Sequence, residues 1–223
     1  MLHTHPHVKT PAQTEGRLIR WAAFYDGLVN LMTFGQANRL RQMTLDQALI
    51  QAGETLLDVG CGTGGVTIPA KIRLGMKGSA SGIDPSPEMI AVARRKAQRA
   101  GIEIDFRVGV IEALPFPDET FDVVTASMMM HHLPRHLQVQ GLAEIRRALR
   151  PGGRILIADM IRPSKSFSKR LFRLLVGHGH AIQFDIGDLI RLLKEAGFED
   201  VEQPDARFLT LGFVRAKKPI IQN

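Results

Sequence analysis

Residues 53–160 alternate between short apolar runs and longer segments in which apolar residues recur every three or four positions. The short runs predict buried strands, and the longer segments predict amphipathic helices. Strands are predicted at 55–59, 78–83, 103–108, 121–127 and 154–160, and helices at 66–74, 87–100 and 135–149. This alternation is typical of a parallel sheet with helices on both faces.

The region before this alternating segment has two parts. Residues 1–14 are polar and rich in His, Pro and Thr, so we expect a flexible N-terminus. In residues 15–52 the apolar positions have helical spacing, which predicts two or three short helices. Because these helices precede the first predicted strand and belong to no βαβ unit, we expect them to act as a cap or lid.

The C-terminal region predicts one further helix and a closing hairpin. The helix is predicted at 186–196, and apolar runs at 201–203 and 208–214 predict two strands with a turn between them. We expect residues 53–223 to form one doubly wound, Rossmann-like α/β domain. Its mostly parallel, seven-stranded sheet would include one antiparallel strand from the C-terminal hairpin.

A glycine-rich turn follows the first predicted strand and precedes a predicted helix. Residues 58–65 read Asp-Val-Gly-Cys-Gly-Thr-Gly-Gly, and glycines at such a turn allow positive φ and the close approach of a ligand. Asp84 ends the next strand, where a carboxylate accepts hydrogen bonds from both hydroxyls of a ribose. The alternative for Asp84 is a helix N-cap, because a helix is predicted just after it. The pattern predicts a ribose-containing ligand.

Asp58 narrows the kind of nucleoside that the turn would bind. A carboxylate buried at the end of a core strand destabilises the fold unless it is paired or hydrogen-bonded. The ammonium group of a nucleoside that carries an amino acid would pair with it, whereas a dinucleotide offers no ammonium there. Asp58 therefore favours S-adenosylmethionine (SAM) over a nicotinamide dinucleotide, although the spacing of Gly60, Gly62 and Gly65 alone is compatible with both.

Five blocks of sequence, in order and at compatible spacing, resemble class I SAM-dependent methyltransferases. The nearest pattern is that of the ubiquinone/menaquinone-biosynthesis-like group, also called methyltransferase type 11. The blocks are 56–64, 82–89, 112–122, 131–133 and 149–153. The resemblance implies an enzyme that transfers a methyl group from SAM to a small acceptor. It also implies the cofactor-binding residues Asp58, Gly60, Cys61, Gly62, Gly64, Asp84, Pro85, Met89, Ile111, Glu112 and Ser127.

The resemblance assigns roles to several of these positions. The backbone of the glycine turn would contact the methionine and ribose parts of SAM, and Asp58 would hold the methionyl ammonium. Asp84 would bind the ribose hydroxyls, and Pro85 or Met89 would pack near the adenine. Ser127, at the end of the fourth strand, would border the methyl-transfer centre.

One position departs from the family's pattern. The segment before Leu114 in this family usually supplies an Asp that bonds the adenine amino group, and the matching residue here is Val110. An apolar side chain cannot accept that hydrogen bond, so the backbone of Ile111 and the carboxylate of Glu112 become the candidates. Val110 also leaves open a catalytically silent SAM-binding protein, and the glycine spacing leaves open an NAD-dependent oxidoreductase.

Histidines supply the candidate bases. Methyl transfer from a sulfonium depends mainly on proximity and alignment, and it needs a base only when the acceptor must lose a proton. His131 and His132 follow the fourth strand directly, and His178 and His180 lie in a later glycine-rich segment. The alternative for His131 and His132 is a role in helix entry or packing.

The acceptor is indicated by variable segments outside these blocks. Residues 166–176 predict a basic amphipathic helix that would contact an anionic membrane surface from one side. Met128, Met129 and Met130 add an adaptable apolar surface beside the expected methyl centre. These features favour a lipophilic acceptor, such as a quinone precursor or a phospholipid headgroup, and a peripheral contact with the inner face of the membrane.

Composition limits the other classes of function. The formal net charge is +7, but only 6% of the residues are aromatic, so we expect no nucleic-acid partner. Cys61 is the single cysteine, which gives no internal disulfide and no metal-ligand set, and we expect no bound metal. No apolar run reaches the roughly 18 residues of a membrane span. We therefore expect a cytoplasmic protein.

Overall fold

The computed structural model describes residues 22–160 and 186–220. The predicted flexible N-terminus, 1–14, and the segment 166–176 lie outside the described residues. The elements, numbered in chain order, are α1 (Ala22–Met32), α2 (Ala37–Gln47), β1 (Thr55–Val59), α3 (Thr67–Leu74), β2 (Ser79–Asp84), α4 (Pro87–Arg99), β3 (Asp105–Val108), β4 (Phe121–Ser127), a 3-10 helix (Met130–His132), α5 (Arg135–Ala148), β5 (Leu149–Met160), α6 (Ile186–Glu195), β6 (Glu199–Glu202), β7 (Arg207–Phe208) and β8 (Leu211–Lys217).

The strands form a single mixed sheet in the order β3-β2-β1-β4-β5-β8-β6, with β7 paired to β8. Strands β1 to β5 are parallel to their neighbours, while β8 runs antiparallel to β5 and to β6. The chain crosses from β3 to β4, so the direction of winding switches between β1 and β4. Helices pack on both faces of the sheet, which confirms the predicted doubly wound Rossmann-like fold.

The alternation of side chains along β1 divides the core into two layers. Leu57 faces the layer that contains Leu142 of α5 and Leu192 of α6. Leu56 faces the opposite layer, together with Leu45 of α2 and Leu74 of α3. Because both faces of the central strand are covered, its sequence reads as a continuous apolar run that ends at Asp58.

The predicted strand count is wrong by one, because the described residues form a sheet of eight strands instead of seven. The apolar run at 208–214 is split by a two-residue turn, so that Phe208 pairs with Leu211 across it. Leu209 lies in this turn with a φ of 53°. A run of apolar residues conceals such a turn, because no glycine or asparagine marks the position with positive φ.

Strand β5 also begins earlier than predicted. Leu149 already pairs with Phe121 of β4, and a register shift follows before Arg154 pairs with Val123. Helix α5 therefore ends at Ala148, before the Pro-Gly-Gly sequence, and residues 151–153 lie within an irregular start of the strand instead of a separate loop.

Candidate active site

A cleft opens at the carboxyl ends of β1, β2 and β4, where the winding of the sheet switches. Ligands of open α/β sheets bind at this position. With its open mouth included, the cleft contains about 720 Å³ of space not filled by protein atoms. It is lined by Tyr25, Val59, Gly60, Gly62, Ile83, Asp84, Pro85, Met89, Gly109, Val110, Ile111, Glu112, Ser127, Met128, Met129, His132 and Leu133.

A second, smaller cavity of about 540 Å³ adjoins this cleft. The residues that line both are Tyr25, Gly60, Gly62, Ser127 and Met128. Asp58 and Cys61 line the second cavity but not the cleft. The fold thus brings all the predicted cofactor residues except Gly64 to the walls of two adjoining cavities.

The glycines of the turn have different surroundings. Gly60 has a φ of 70°, and a Cβ built on it would lie 2.9 Å from Cβ of Met129. A Cβ on Gly62 would meet only the Tyr25 ring, at 3.6 Å. A Cβ on Gly64 would lie 3.0 Å from the Phe106 ring, on the side of helix α4. Gly60 and Gly62 therefore border the cavities, whereas Gly64 allows close packing behind them.

Asp84 ends β2 and is held by backbone donors. Its carboxylate accepts hydrogen bonds from the N–H groups of Gly62, at 3.0 Å, and Ser86, at 2.9 Å. The N-cap of α4 is Ser86, whose hydroxyl accepts a hydrogen bond from the N–H of Met89. Burial raises the pKa of Asp84, and the two backbone hydrogen bonds oppose that effect. The cap role that was the alternative for Asp84 thus belongs to Ser86.

Asp58 is the penultimate residue of β1 and is 1% exposed. Its two carboxylate oxygens accept hydrogen bonds from the hydroxyls of Thr67, at 2.6 Å, and Thr125, at 2.8 Å. Burial raises its pKa to about 6, although both hydroxyls favour the ionised form. Among the described residues no cation pairs with it, so a bound ammonium group would stabilise the carboxylate.

The far wall of the cleft contains the position that departs from the family pattern. Val110 is 2% exposed and lines the cleft beside Ile111. Glu112 lines the same wall, and its Oε2 atom is buried with no hydrogen-bond partner among the described residues. A buried acceptor without a donor destabilises the empty protein and would be satisfied by a donor on a ligand.

The two predicted histidines have different environments. His132 lines the cleft beside Met129 and Leu133, whereas His131 lines neither cavity. Nδ1 of His131 lies 2.5 Å from Oδ1 of Asp159, and both side chains are almost fully buried. The carboxylate of Asp159 is thus hydrogen-bonded to one ring nitrogen of His131. His178 and His180 lie outside the described residues.

Helix α1 contributes two residues that were not among the predicted cofactor-binding residues. Tyr25 lines both cavities. Asp26 accepts hydrogen bonds from Lys96 of α4, at 2.7 Å, and from the hydroxyl of Thr63 in the glycine turn, at 2.9 Å. It also forms an ion pair with Arg41 of α2. Burial alone would raise the pKa of Asp26, but the hydrogen bonds from Lys96 and Thr63 outweigh it and lower the pKa.

Asp159 was also missed, although the sequence contains a signal for it. It follows the apolar residues 155–158 near the end of β5, as Asp58 follows 56–57 near the end of β1. The same argument, that a carboxylate buried at a strand end needs a partner, would have marked it.

The donor and acceptor pattern of the two cavities is compatible with SAM. Carboxylates lie at three separate points along them, at Asp58, Asp84 and Glu112. The ammonium, ribose hydroxyls and adenine amino group of SAM are three separate sets of hydrogen-bond donors. Cys61 is buried beside them, and burial raises the pKa of its thiol, which disfavours the reactive thiolate.

Comparison with known proteins identifies the family. The methyltransferase domain family matches residues 56–153. The chain is 33% identical over 182 residues to a ubiquinone/menaquinone biosynthesis C-methyltransferase of a Marinomonas species, covering 78% of this chain and 71% of the relative. It is 35% identical over 150 residues to a demethylmenaquinone methyltransferase of Thermus thermophilus, covering 67% of each.

A solved structure shares the fold. A SAM-dependent methyltransferase from Aquifex aeolicus superposes with a TM-score of 0.67 at 22% identity, over 80% of this chain and 89% of that chain. The relatives and the fold agree with the predicted SAM cofactor and do not favour a nicotinamide-dependent oxidoreductase. The chain belongs to the class I SAM-dependent methyltransferases, in the group that resembles the ubiquinone/menaquinone biosynthesis methyltransferases.

Proposed function

We propose that this enzyme methylates a ring carbon of a lipophilic hydroquinone, a quinone precursor in its reduced form. The observation that carries the proposal is the composition of one end of the cleft, where Met128, Met129 and Leu133 lie beside Ser127 and His132. This end offers apolar contacts for a ring and one ionisable side chain. The names of the Marinomonas and Thermus relatives, which refer to ubiquinone and menaquinone biosynthesis, support the same class of acceptor.

SAM, when bound, supplies a methyl group on a positively charged sulfur. We assign its three groups of donors to the three carboxylates. Asp58 pairs with the ammonium in the smaller cavity, and Asp84 accepts from the ribose hydroxyls. The backbones of Gly60 and Gly62 border the ligand between these two points, because both glycines line both cavities.

We assign the adenine to the wall that contains Val110. The side chains of Pro85 and Met89 lie along the same cleft and offer apolar contact to the ring. The unpartnered Oε2 of Glu112 accepts from the adenine amino group, in place of the Asp that the family pattern has at position 110. The backbone of Ile111 remains the candidate for the adenine ring nitrogen.

Helices α1 and α2, within the region 15–52, act as a cap on the domain that follows. The support is that Tyr25 lines both cavities and that Asp26 connects α1 to the glycine turn and to α4. These contacts support a position of α1 over the boundary between the proposed ammonium and ribose positions. Opening of α1 would let SAM enter and its demethylated product leave.

The enzyme reaches its acceptor through peripheral contact with a lipid surface. Five large apolar side chains of α1 and the turn after it are exposed to solvent, namely Phe24, Leu28, Leu31, Met32 and Phe34. Such a patch is typical of interaction surfaces. Among residues 22–160 and 186–220, no helix is long and apolar enough to cross a membrane.

Two acceptors supplied together test this function. Purified protein is incubated with methyl-labelled SAM and vesicles that contain phosphatidylethanolamine and a 1,4-naphthohydroquinone with one isoprenyl group, kept reduced under argon. We call the latter the short-chain hydroquinone. We expect label on a ring carbon of the hydroquinone and none on the phospholipid. Label confined to the phospholipid headgroup, or no transfer by protein that binds SAM, would contradict the proposal.

A further inference from the structure

We propose that His132 is the general base for the acceptor hydroxyl and that the buried Asp159–His131 pair is its positioning unit. This inference rests on the proposed function, because it assumes an acceptor with an ionisable hydroxyl. It separates two adjacent histidines that the sequence alone treats as equivalent. It also gives a role to Asp159, a buried carboxylate that lines neither of the two cavities.

The Asp159–His131 pair is rigidly held. Oδ1 of Asp159 lies 2.5 Å from Nδ1 of His131 and accepts the N–H of Met160 at 2.7 Å. Oδ2 of the same carboxylate accepts the backbone N–H of His131 at 3.3 Å. The exposed fractions of the two side chains are 6% for His131 and 2% for Asp159. Because an ionised carboxylate only accepts hydrogen bonds, Nδ1 of His131 carries the proton.

His132 lies between this pair and the cleft. The centroids of the His131 and His132 rings are 3.9 Å apart, with the ring planes tilted by 45°. His132 is the histidine that lines the cleft, next to Met129 and Leu133. The fixed His131 ring therefore supports one side of the His132 ring and restricts its rotation, which is the function of a positioning group.

The described ionisable side chains near His132 are mainly acidic. The carboxylate of Asp159 is paired with His131, the neighbour of His132. Among the described residues, the other ionisable side chains that line the cleft are Tyr25, Asp84 and Glu112, all of which are acids. Arg135, at the start of the next helix, is directed toward Glu195 at 3.7 Å.

The chemical step balances as follows. The O–H bond of the hydroquinone breaks and its proton moves to the His132 imidazole, which raises the electron density at the ring carbon next to that oxygen. This carbon forms a bond to the methyl carbon while the bond from the methyl carbon to sulfur breaks, and the electron pair stays on sulfur. The hydrogen on the methylated ring carbon is lost to water as a proton. The imidazolium then returns its proton to the oxygen.

The first test compares His132→Gln with His136→Gln, an exposed histidine on α5. With the short-chain hydroquinone and saturating SAM, we expect His132→Gln to lower kcat about 100-fold, the lower range for loss of a general base. Its Kd for SAM should stay within twofold of wild type, which also reports folding. We expect the kcat of wild type to fall at low pH, and we expect this fall to be absent in His132→Gln. His136→Gln should behave as wild type.

SAM is kept saturating because Asp58 lies in the adjoining cavity and its pKa is raised to about 6. At lower SAM concentrations, protonation of Asp58 would reduce the rate by weakening SAM binding. If Asp58 were the source of the low-pH fall in kcat, His132→Gln would retain it, and the assignment of the base would be overturned. His132→Asn provides a second variant if the Gln variant does not fold. No methylation by wild-type protein that binds SAM would overturn the acceptor, and the base assignment with it.

The second test concerns Asp159 and needs no turnover. In protein labelled with 15N-histidine and free of SAM, NMR follows the ring of His132 across pH. We expect Asp159→Asn to lower the midpoint of this titration, because a negative charge behind the ring is removed, and to lower kcat about tenfold. A purely structural Asp159 would leave the midpoint unchanged, and that result would overturn its role as a positioning residue.

Discussion

The two sides of the cleft are built in different ways. On the β1–β2 side, backbone N–H groups of Gly62, Ser86 and Met89 donate hydrogen bonds to side chains at the end of β2 and the start of α4. On the β4–β5 side, the closest contact joins two side chains, those of His131 and Asp159. Backbone geometry fixes the first side, whereas tertiary packing fixes the second.

This difference separates what a family shares from what an individual enzyme can vary. A ligand held by backbone N–H groups and strand-end carboxylates needs the same short motifs in every member. A ligand held by side chains from a 3-10 helix and β5 meets residues that can change without altering the sheet. The first side would therefore hold SAM, and the second would select the acceptor.

The largest expected effect is on the β1–β2 side. Asp84→Asn removes the charge that would accept from both ribose hydroxyls, so we expect about 100-fold weaker binding of SAM. Isothermal titration calorimetry measures this, with Asp105→Asn, an exposed residue at the start of β3, as the control. Equal affinities for wild type and Asp84→Asn would show that the ribose is held elsewhere.

The next prediction concerns Asp58→Asn, which should stabilise the folded protein at pH 8 but weaken its binding of SAM. Burial raises the pKa of its carboxyl from 3.8 to about 6. The folded state therefore loses stability as pH rises through this window, and above pH 6 the loss is on the order of 3 kcal/mol. Asp58→Asn should remove that loss, so we expect a more stable protein at pH 8 and a smaller difference at pH 4.

Urea unfolding at the two pH values measures the stability of Asp58→Asn. The same variant should bind SAM about tenfold more weakly, since the ammonium loses its partner. In wild type, the affinity for SAM should also fall below pH 6 as the carboxylate is protonated, and in the variant it should not. A variant that is less stable than wild type at pH 8 would contradict this reading of the buried carboxylate.

A third, smaller effect concerns the adenine. Glu112→Gln should weaken the binding of S-adenosylhomocysteine about fivefold to tenfold, because a neutral acceptor replaces a charged one. Adding Val110→Asp to that variant should restore the affinity, since it returns the acceptor of the family pattern. The inosine analogue, which lacks the amino group, should bind all three proteins with similar affinity.

The control for the adenine test is Glu103→Gln, an exposed residue before β3. If Glu112→Gln binds S-adenosylhomocysteine as wild type does, the unpartnered oxygen of Glu112 has another purpose and the adenine contact must come from the backbone of Ile111.

The smallest effect is expected from the contacts that hold α1. Asp26→Ala removes the ion pairs with Lys96 and Arg41 and the hydrogen bond from Thr63. Partly exposed ion pairs contribute roughly 0.2–1 kcal/mol each, so we expect the dissociation rate of SAM to rise a few-fold. Stopped-flow displacement measures it, with Asp46→Ala as the control, because Asp46 pairs with Arg73 and neither residue lines either of the two cavities. An unchanged rate would contradict the lid.

The limits of prediction from the sequence follow the same division. The bounds of β4 and the positions of Asp58 and Asp84 at strand ends could be predicted, because apolar runs and glycines encode them locally. The split between β7 and β8 could not, because Leu209 carries positive φ inside an apolar run. The different environments of His131 and His132 also could not, because they depend on which side chain of β5 lies behind them.

The separate roles of the two sides are tested most directly by a double-mutant cycle. The Kd for SAM and the kcat with the short-chain hydroquinone are measured for wild type, Asp84→Asn, His132→Gln and the double variant. We predict that Asp84→Asn changes Kd, that His132→Gln changes kcat at saturating SAM, and that the double variant combines both changes without coupling. A His132→Gln variant that binds SAM as weakly as Asp84→Asn does would contradict the division of the site.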